Sequence, residues 1–541
     1  MRRTPSSRQR TWTQLGILLM LFLGTLLIYL VFTVSRFERI TDINALDYAQ
    51  VARHVARGEG FTTSFIKPLS LVYNKSVENH PELTYPPLHI GWTSLVMRVM
   101  GPTDKAVSHS SGLAFLLTSP LVFLLALRLF DLRTASLATI LYATNGNFLD
   151  YAISGLEASL LGLLVTGFLF SLYLAAKAGR REMLFVAAAG ALMGLIYLTK
   201  DVWVLAAIPA LVYLVKMREE RRLARAGVFV GLAVLVALPW LVRNYNLTGN
   251  PFFTLRATEL LGQTRAYPGN SLYRRYAEYI PNFVVFAASN PRAVFDKCRS
   301  GLALFYPRVA GMAGIFLTPF FLVAILTRLG DEDFERWRNS IYAMLVIVAL
   351  ALTLLIAAPR LLAPLGPAMT VIATAYFWRL VNERTAHHKH ERKKSRAITI
   401  AVAVLVAAHV FPFVLAVTPG PRAAEATPDA VNAACEQLAE RTEGAVLTDM
   451  PWAVAWVADR DAVWLPQAQL DLNKLESAVG PFRWMLLTPL LPQLAAAEDL
   501  QQWADVWRAA QRGDIKHGRF GVRGRLADST WILFERLPSS Q

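Results

Sequence analysis

Positions 41 to 61 read TDINALDYAQVARHVARGEGF, a polar, helix-patterned stretch that directly follows an apolar run. Asp42 and Asp47 within it are side chains of the type that takes a proton from an attacking hydroxyl or amine. Three cations stand at the ends of other apolar runs: Lys200 closes GLIYLTK, Arg243 follows LPWLV and Arg360 follows LLIAAP. Single charges at such positions commonly snorkel to a membrane surface. Gathered on the side that also holds the acids, they have a second use, which is to hold a lipid-linked phosphate and stabilise negative charge as it develops. The residue types thus offer proton abstraction beside an anion, provided that the elements carrying them converge.

Those elements are mostly membrane spans. Of the 541 residues 54% are hydrophobic, above the level of soluble domains. Runs of about 20 residues with almost no charge recur, the length that crosses the hydrocarbon core. Eleven are read, at 15–34, 108–130, 134–150, 156–176, 184–199, 201–216, 226–242, 303–327, 340–358, 361–380 and 397–417. The net charge of +16 lies mostly between these runs, where it orients helices, so no nucleic acid is expected as a partner. MRRTPSSRQR precedes the first run and no small-residue cleavage site follows it, which predicts a retained span with residues 1–14 in the cytoplasm. The loops KAGRRE, KMREERRLAR, TRLGDEDFERWRNS and RLVNERTAHHKHERKKSR then fall inside, all but the third strongly basic, as the positive-inside rule requires. His387, His388 and His390 sit in the most basic of these loops and read as part of a solvated topology signal, not a metal site.

This orientation places residues 35–107, 243–302 and the tail 418–541 outside. The tail alternates strand and helix patterns: GAVLTDMPWAVAWVADRDAVWLP reads as strand, helix and strand, RWMLLTP and STWILFERL as strands, and AEDLQQWADVWRAAQ as a helix. The expectation is an all-α polytopic membrane domain over 15–417 with about 11 transmembrane helices, and a small accessory α/β domain on its outer face. Cys298 and Cys435 both lie outside, where a disulfide is chemically permitted, but two cysteines alone establish none. In the first outer loop, Leu46, Val51 and Val55 give residues 44–57 one apolar face, which predicts a helix lying in the interface plane. A Tyr85-Pro86-Pro87 turn leads into a second such helix over 88–100. Two interface helices in one loop can shape a cavity where lipid meets water.

DYAQVARHVARGEGF after the first span, YPPLHIGW, SGLEASL, GLIYLTK, PWLVRNYNLTGNPFF and PRLLAPLGP occur in that order over roughly residues 15–380. In this the chain resembles the GT-C superfamily of integral membrane glycosyltransferases, in the protein O-mannosyltransferase and aminoarabinose-transferase (ArnT-like) branch. The resemblance implies transfer of a sugar from a polyprenyl-phosphate donor to a lipid, glycan or protein acceptor, on the outer face of a bacterial inner membrane. It implies a catalytic Asp at the start of the first-loop helix, four residues before the aromatic that aligns with Tyr48. That position is Asn44 here, so Asp47 is taken as the base and Asp42 as second candidate. Glu157, in SGLEASL, matches a second outer-side acid, which either orients the acceptor or caps the fourth span. Lys200 and Arg243 match donor-phosphate ligands; Arg360 and His80 are further candidates, and Tyr48 and Tyr85 complete the substrate-binding set. No cofactor follows with certainty. Some GT-C enzymes use a divalent metal, so a metal stays an open expectation, although no clustered carboxylate set demands one.

A single poised acid favours direct displacement with inversion over a double displacement, which needs a nucleophilic carboxylate. Two other readings stand beside this one. A transporter or flippase for lipid-linked sugars predicts internal repeats and ionisable residues at mid-membrane, and neither is found here. A catalytically inactive relative in envelope assembly is kept open by Asn44.

Overall fold

The computed structural model describes residues 7–277, 279–309, 312–387, 390–418, 428–527 and 529–538, so His388 lies outside the described residues. Among the described residues eight helices are long and apolar enough to cross a membrane: Thr11–Arg36, Asp104–Leu129, Ala158–Lys177, Gly179–Thr199, Arg222–Thr248, Glu332–Leu354, Pro359–Thr385 and Glu391–Val417. The other three expected spans are composite. The run 134–150 is Leu132–Ala143 followed by Gly146–Ile153, broken where Asn145 caps the second helix through its side chain. The run 201–216 begins as a 3₁₀ turn, Asp201–Ala206, and continues as Ala207–Met217, while 303–327 is shared by Pro291–Val309 and Leu317–Ala324. One large apolar core, with Phe115, Phe168, Trp203, Trp337 and Ile372 buried in it, joins the spans.

The basic loops share one end of this bundle. Lys177 pairs with Asp331 and Asp333, and Arg225 with Glu182. At the other end the first outer loop, residues 243–302 and the tail assemble into a second body. Its sheet has seven strands: β1 (Phe65–Ile66), β2 (Val446–Thr448), β3 (Ala462–Trp464), β4 (Trp484–Leu487), β5 (Lys516–His517), β6 (Phe520–Leu526) and β7 (Trp531–Arg536), in the order β1-β3-β2-β4-β7-β6-β5. The first four in that order run parallel, and β4, β7, β6 and β5 pair antiparallel. The strands read in GAVLT, DAVW, RWMLL and STWILFER are present, with the helix Gln501–Arg512 before the last hairpin.

The edge strand β1 comes from the first outer loop, with Phe65 opposite Ala462 and Ile66 opposite Val463. The sheet therefore does not respect a boundary at 418. Its core is common property as well: Tyr48, Val51 and Phe65 from the loop are buried with Trp452, Trp464 and Leu533 from the tail. Cys298 and Cys435 are free thiols.

The helix expected in the interface plane runs from Ile43 to Arg57, capped by the Asp42 carboxylate and closed by Gly58 at φ 83°. It does not lie on a surface. Every residue from Ala45 to His54 is buried, polar ones included. The physical reason is that its polar face meets protein, not water. Arg53 donates to the carbonyl oxygens of Trp456 at 2.7 Å and Ala455 at 2.5 Å, pairs with Asp459 at 2.8 Å, and stacks over the Trp456 ring. Ser64 adds a bond to Asp461, Arg274 an ion pair to Glu498, and Arg275 a bond to Gln467.

Arg53→Ala leaves two tail carbonyls without their donor and removes the stem that packs on Trp456. The expected loss is about 2–3 kcal/mol of docking stability, read as a lower thermal midpoint of the purified protein in detergent. An unchanged midpoint would mean that the tail is held by its other contacts.

Candidate active site

Asp47 lies one turn into the capped helix and is 1% exposed. Its Oδ2 accepts from the Lys67 ammonium at 3.1 Å and its Oδ1 from Gln50 Nε2 at 3.0 Å. Gln50 is itself tied down. Its Nε2 also reaches Thr63 Oγ1 at 2.8 Å, and its Oε1 accepts the Ser64 backbone N–H at 2.9 Å. Lys67 directly follows β1, and its ammonium lies 4.2 Å from the Phe65 ring centre and 5.4 Å from that of Tyr85. Glu82 closes this side: its Oε1 accepts the backbone N–H groups of Thr84 and Tyr85, while its Oε2 is buried with no partner among the described residues. Burial pushes the Asp47 carboxyl above its ordinary value; Lys67 opposes this and Glu82 adds to it.

A second charged group lies across Tyr48. The Lys200 ammonium is 2.8 Å from Glu157 Oε1 and donates to the Tyr48 hydroxyl at 3.5 Å. Tyr48 packs edge-on against Tyr85 at 4.6 Å and His89 at 5.1 Å, and both carboxylates act on it electrostatically. Glu157 stands at the start of its span but caps nothing with its side chain. Burial alone would raise its carboxyl, but Lys200 and Arg360 outweigh burial and hold it well below the usual carboxylate range. Arg256 completes the group, bidentate to Glu259 at 3.1 Å through both contacts. It acts electrostatically on Tyr48 and on Lys200. Arg256 Nη1 and Arg360 Nε are buried with no partner among the described residues.

Of the residues singled out in the sequence, Asp47, Tyr48, Tyr85, Glu157, Lys200 and Arg360 thus converge. Asp42 sits at the edge of the cluster, using Oδ1 to accept the Asn44 and Ala45 N–H groups while its charge acts on Arg360. Arg243 and His80 lie beside Glu82 and Lys67 rather than in the Lys200 group, and Arg243 Nη1 is buried with no partner among the described residues. Arg243 donates to the carbonyl oxygens of Phe61 at 3.3 Å and Glu82 at 2.9 Å, and stacks on Phe61 and Trp240. His80 bridges Ser76 O and Ser70 Oγ, and burial pulls its imidazole down to about 4, so it is neutral at pH 7. Both brace the first outer loop. Lys67, Glu82, His89 and Arg256 escaped the sequence reading. His89 and Glu82 flank the Tyr85-Pro86-Pro87 turn, and Arg256 lies just beyond NPFF, so proximity to those motifs was the available signal; Lys67 carried none.

The α-helical membrane body thus carries its loops and a small α/β sheet over a buried charged cluster at one end. Residues 84–242 match the family model described as dolichyl-phosphate-mannose-protein mannosyltransferase. The fold is shared with the oligosaccharyltransferase AglB from Archaeoglobus fulgidus, solved with an inhibitory peptide and a dolichol-phosphate, at TM-score 0.59 and 14% identity over 95% of this chain and 73% of that one. It is shared equally with ArnT from Cupriavidus metallidurans bound to undecaprenyl phosphate, at TM-score 0.59 and 14% identity over 97% of this chain and 98% of that one. A further structure of the Archaeoglobus enzyme, in complex with Zn and sulfate, aligns at TM-score 0.55 and 13% identity over 89% of this chain and 70% of that one. Among curated proteins no match is found. Among the described residues no group of three or more His, Cys, Asp or Glu side chains is placed to hold a metal ion. Asp47, which feels the Glu82 charge, already carries the Lys67 ammonium, so this donor set does not fit a divalent cation.

Because burial holds the Asp47 carboxyl above its unfolded value, its contribution favours the fold in acid and is lost as pH rises through the raised value. Lys67 moderates that loss. Lys67→Met is expected to cost about 3 kcal/mol near neutral pH and less in acid, where a protonated Asp47 no longer needs the ammonium. Thermal melts of variant and parent across that range check this; a pH-independent cost would mean that the ammonium acts through packing on Phe65 and Tyr85 alone.

Proposed function

We propose that this protein is an inverting glycosyltransferase that moves a sugar from a polyprenyl-phosphate donor to a hydroxyl or amine acceptor. The reaction takes place on the outer face of a bacterial inner membrane, with the N-terminus cytoplasmic and the α/β body periplasmic. The observation that carries this reading is the pair of charged groups on either side of Tyr48: a carboxylate poised by burial at Asp47, and a cation set of Lys200, Arg256 and Arg360 with unused donors. The shared fold adds support, since ArnT was solved with undecaprenyl phosphate.

The donor's anomeric carbon is held near the interface by its lipid tail. The acceptor attacks it from the side opposite the phosphate and loses its proton to Asp47, while the glycosidic C–O bond breaks and the electron pair stays on the phosphate. Arg256 Nη1 and Arg360 Nε then have an anion to bind, and positive charge counts most as that negative charge builds. Glu157 stays ionised throughout, which keeps Lys200 in place and orients the acceptor. Direct displacement inverts the anomeric centre. Asp42, spent on the helix N-terminus, is the second candidate for the base.

Purified protein incubated with a panel of polyprenyl-phosphate sugars is expected to consume one of them, as followed by mass spectrometry. Asp47→Asn should lower the rate roughly 10²–10⁴-fold without preventing lipid binding. Full turnover by this variant would move the base to Asp42. Donor bound but never consumed by the parent protein would favour the inactive relative.

A further inference from the structure

Apart from the Tyr48 cluster, the outer face holds a cavity of about 750 Å³ between the 263–266 turn, the start of the helix Pro291–Val309 and the end of the span Glu332–Leu354. That volume is in the range of specific small-molecule sites. Its wall is graded. Arg265 and Arg292 stand exposed at the rim with no partner among the described residues, beside Ser289 and Asn290, and Asp296 is the one acid in the lining. Towards the span the lining turns to Gly301 and Thr353, which are buried, with Ala357 half-buried and Leu304 at the apolar edge. Along Pro291–Val309 the cavity-facing residues Ala293, Lys297, Ser300, Gly301 and Leu304 recur at helical spacing, so a single face runs from basic at the rim to apolar below. Gly301 makes the floor: a Cβ there would come within 3.0 Å of Thr353.

Lys297 does not compete for a ligand. Its ammonium donates to the carbonyl oxygens of Glu259, Leu260 and Gly262. It thereby fixes the turn whose Glu259 holds Arg256, and the cavity is built onto the same turn as the cation set. Ala357, three residues before Arg360, joins the two from the span side.

We propose that this cavity binds the phosphate-bearing head of an anionic lipid, the two arginines taking the phosphate and the Gly301–Thr353 floor taking the start of an acyl chain. Arginine at the rim suits this because its planar donors pair with phosphate bidentately. The gradient selects an amphiphile over a free anion, since a soluble phosphate would leave the apolar floor wet. This inference rests on the membrane orientation of the proposed function but not on sugar transfer itself.

The test uses the full-length protein and native mass spectrometry with phosphatidylglycerol, phosphatidylcholine of the same chains, and inorganic phosphate. The parent is expected to retain phosphatidylglycerol about tenfold more than phosphatidylcholine, and the double variant R265E/R292E to lose that preference. Both positions are exposed, so the variant is expected to melt with the parent. Equal retention of the two lipids, or retention unchanged in the variant, would overturn the proposal. Free phosphate held as tightly as phosphatidylglycerol would overturn it in favour of a soluble anion. Lipid retention is read without any sugar donor, so failure of sugar transfer, seen as donor left intact by the parent, is a separate outcome. If the bound lipid is the acceptor, added phosphatidylglycerol slows turnover in the parent and not in the double variant; if it is a resident lipid, turnover is indifferent to it.

Discussion

A carboxylate and an ammonium taken out of water together, Asp47 and Lys67, set the terms for the end of this molecule that carries the sheet. Removing two charges from solvent costs several kcal/mol per ion and is recovered only where geometry is good and the remaining lone pairs are used. Here Gln50 uses one on Asp47, and two aromatic rings face the ammonium. Gln50 is in turn fixed to Thr63 and Ser64, and the next two residues are the strand that pairs with Ala462 and Val463. The acid's position is therefore tied, bond by bond, to a sheet whose other six strands lie some four hundred residues further along the chain.

The tail is for this reason poorly described as an appendage. A two-residue strand has little stability of its own, and isolated pairs are marginal in water. It persists because the tail supplies a partner strand and Arg53 locks the flanking helix onto the carbonyl oxygens of Ala455 and Trp456. The polar face that a surface helix would turn to water is used instead to hold two parts of the chain together. What a free helix would gain from the interface, this one gains from burial against Trp452 and Trp456.

The spans were legible because hydrocarbon thickness imposes a length and a composition that few other constraints mimic. The exceptions are instructive. The segment 134–150 reads as continuous, yet Asn145 breaks it by capping a new helix, a local hydrogen-bonding choice that an apolar run conceals. In the tail the strands rich in Val, Leu and Trp were readable even where short, while β6, the longest but rich in Gly and Arg, was not, because its alternation carries too few apolar residues. At the site, acids beside motifs and cations at span ends were readable by position. Lys67 was not: nothing in SFIKPLS says that this lysine is buried, and its partner lies twenty residues earlier. Arg243 is held by the carbonyl oxygens of Phe61 and Glu82, contacts with a distant segment that its place after LPWLV does not announce.

The two buried acids divide the labour by environment. Around Glu157 the cations exceed what is needed to offset burial, and its carboxyl is held far below the ordinary range. Around Asp47 there is one ammonium against burial and the nearby charge of Glu82, and its carboxyl is raised. A group that gives up its proton too readily makes a weak base, and efficiency improves as its affinity moves toward the working pH. Pairs of titratable groups whose surroundings drive them apart are the usual mark of separate acid–base and electrostatic roles. On that ground Asp47 suits proton transfer, while Glu157 suits a fixed charge that keeps Lys200 beside the Tyr48 hydroxyl. Asp42, half-exposed and already accepting two backbone N–H groups, has neither the burial of the first nor the cation excess of the second.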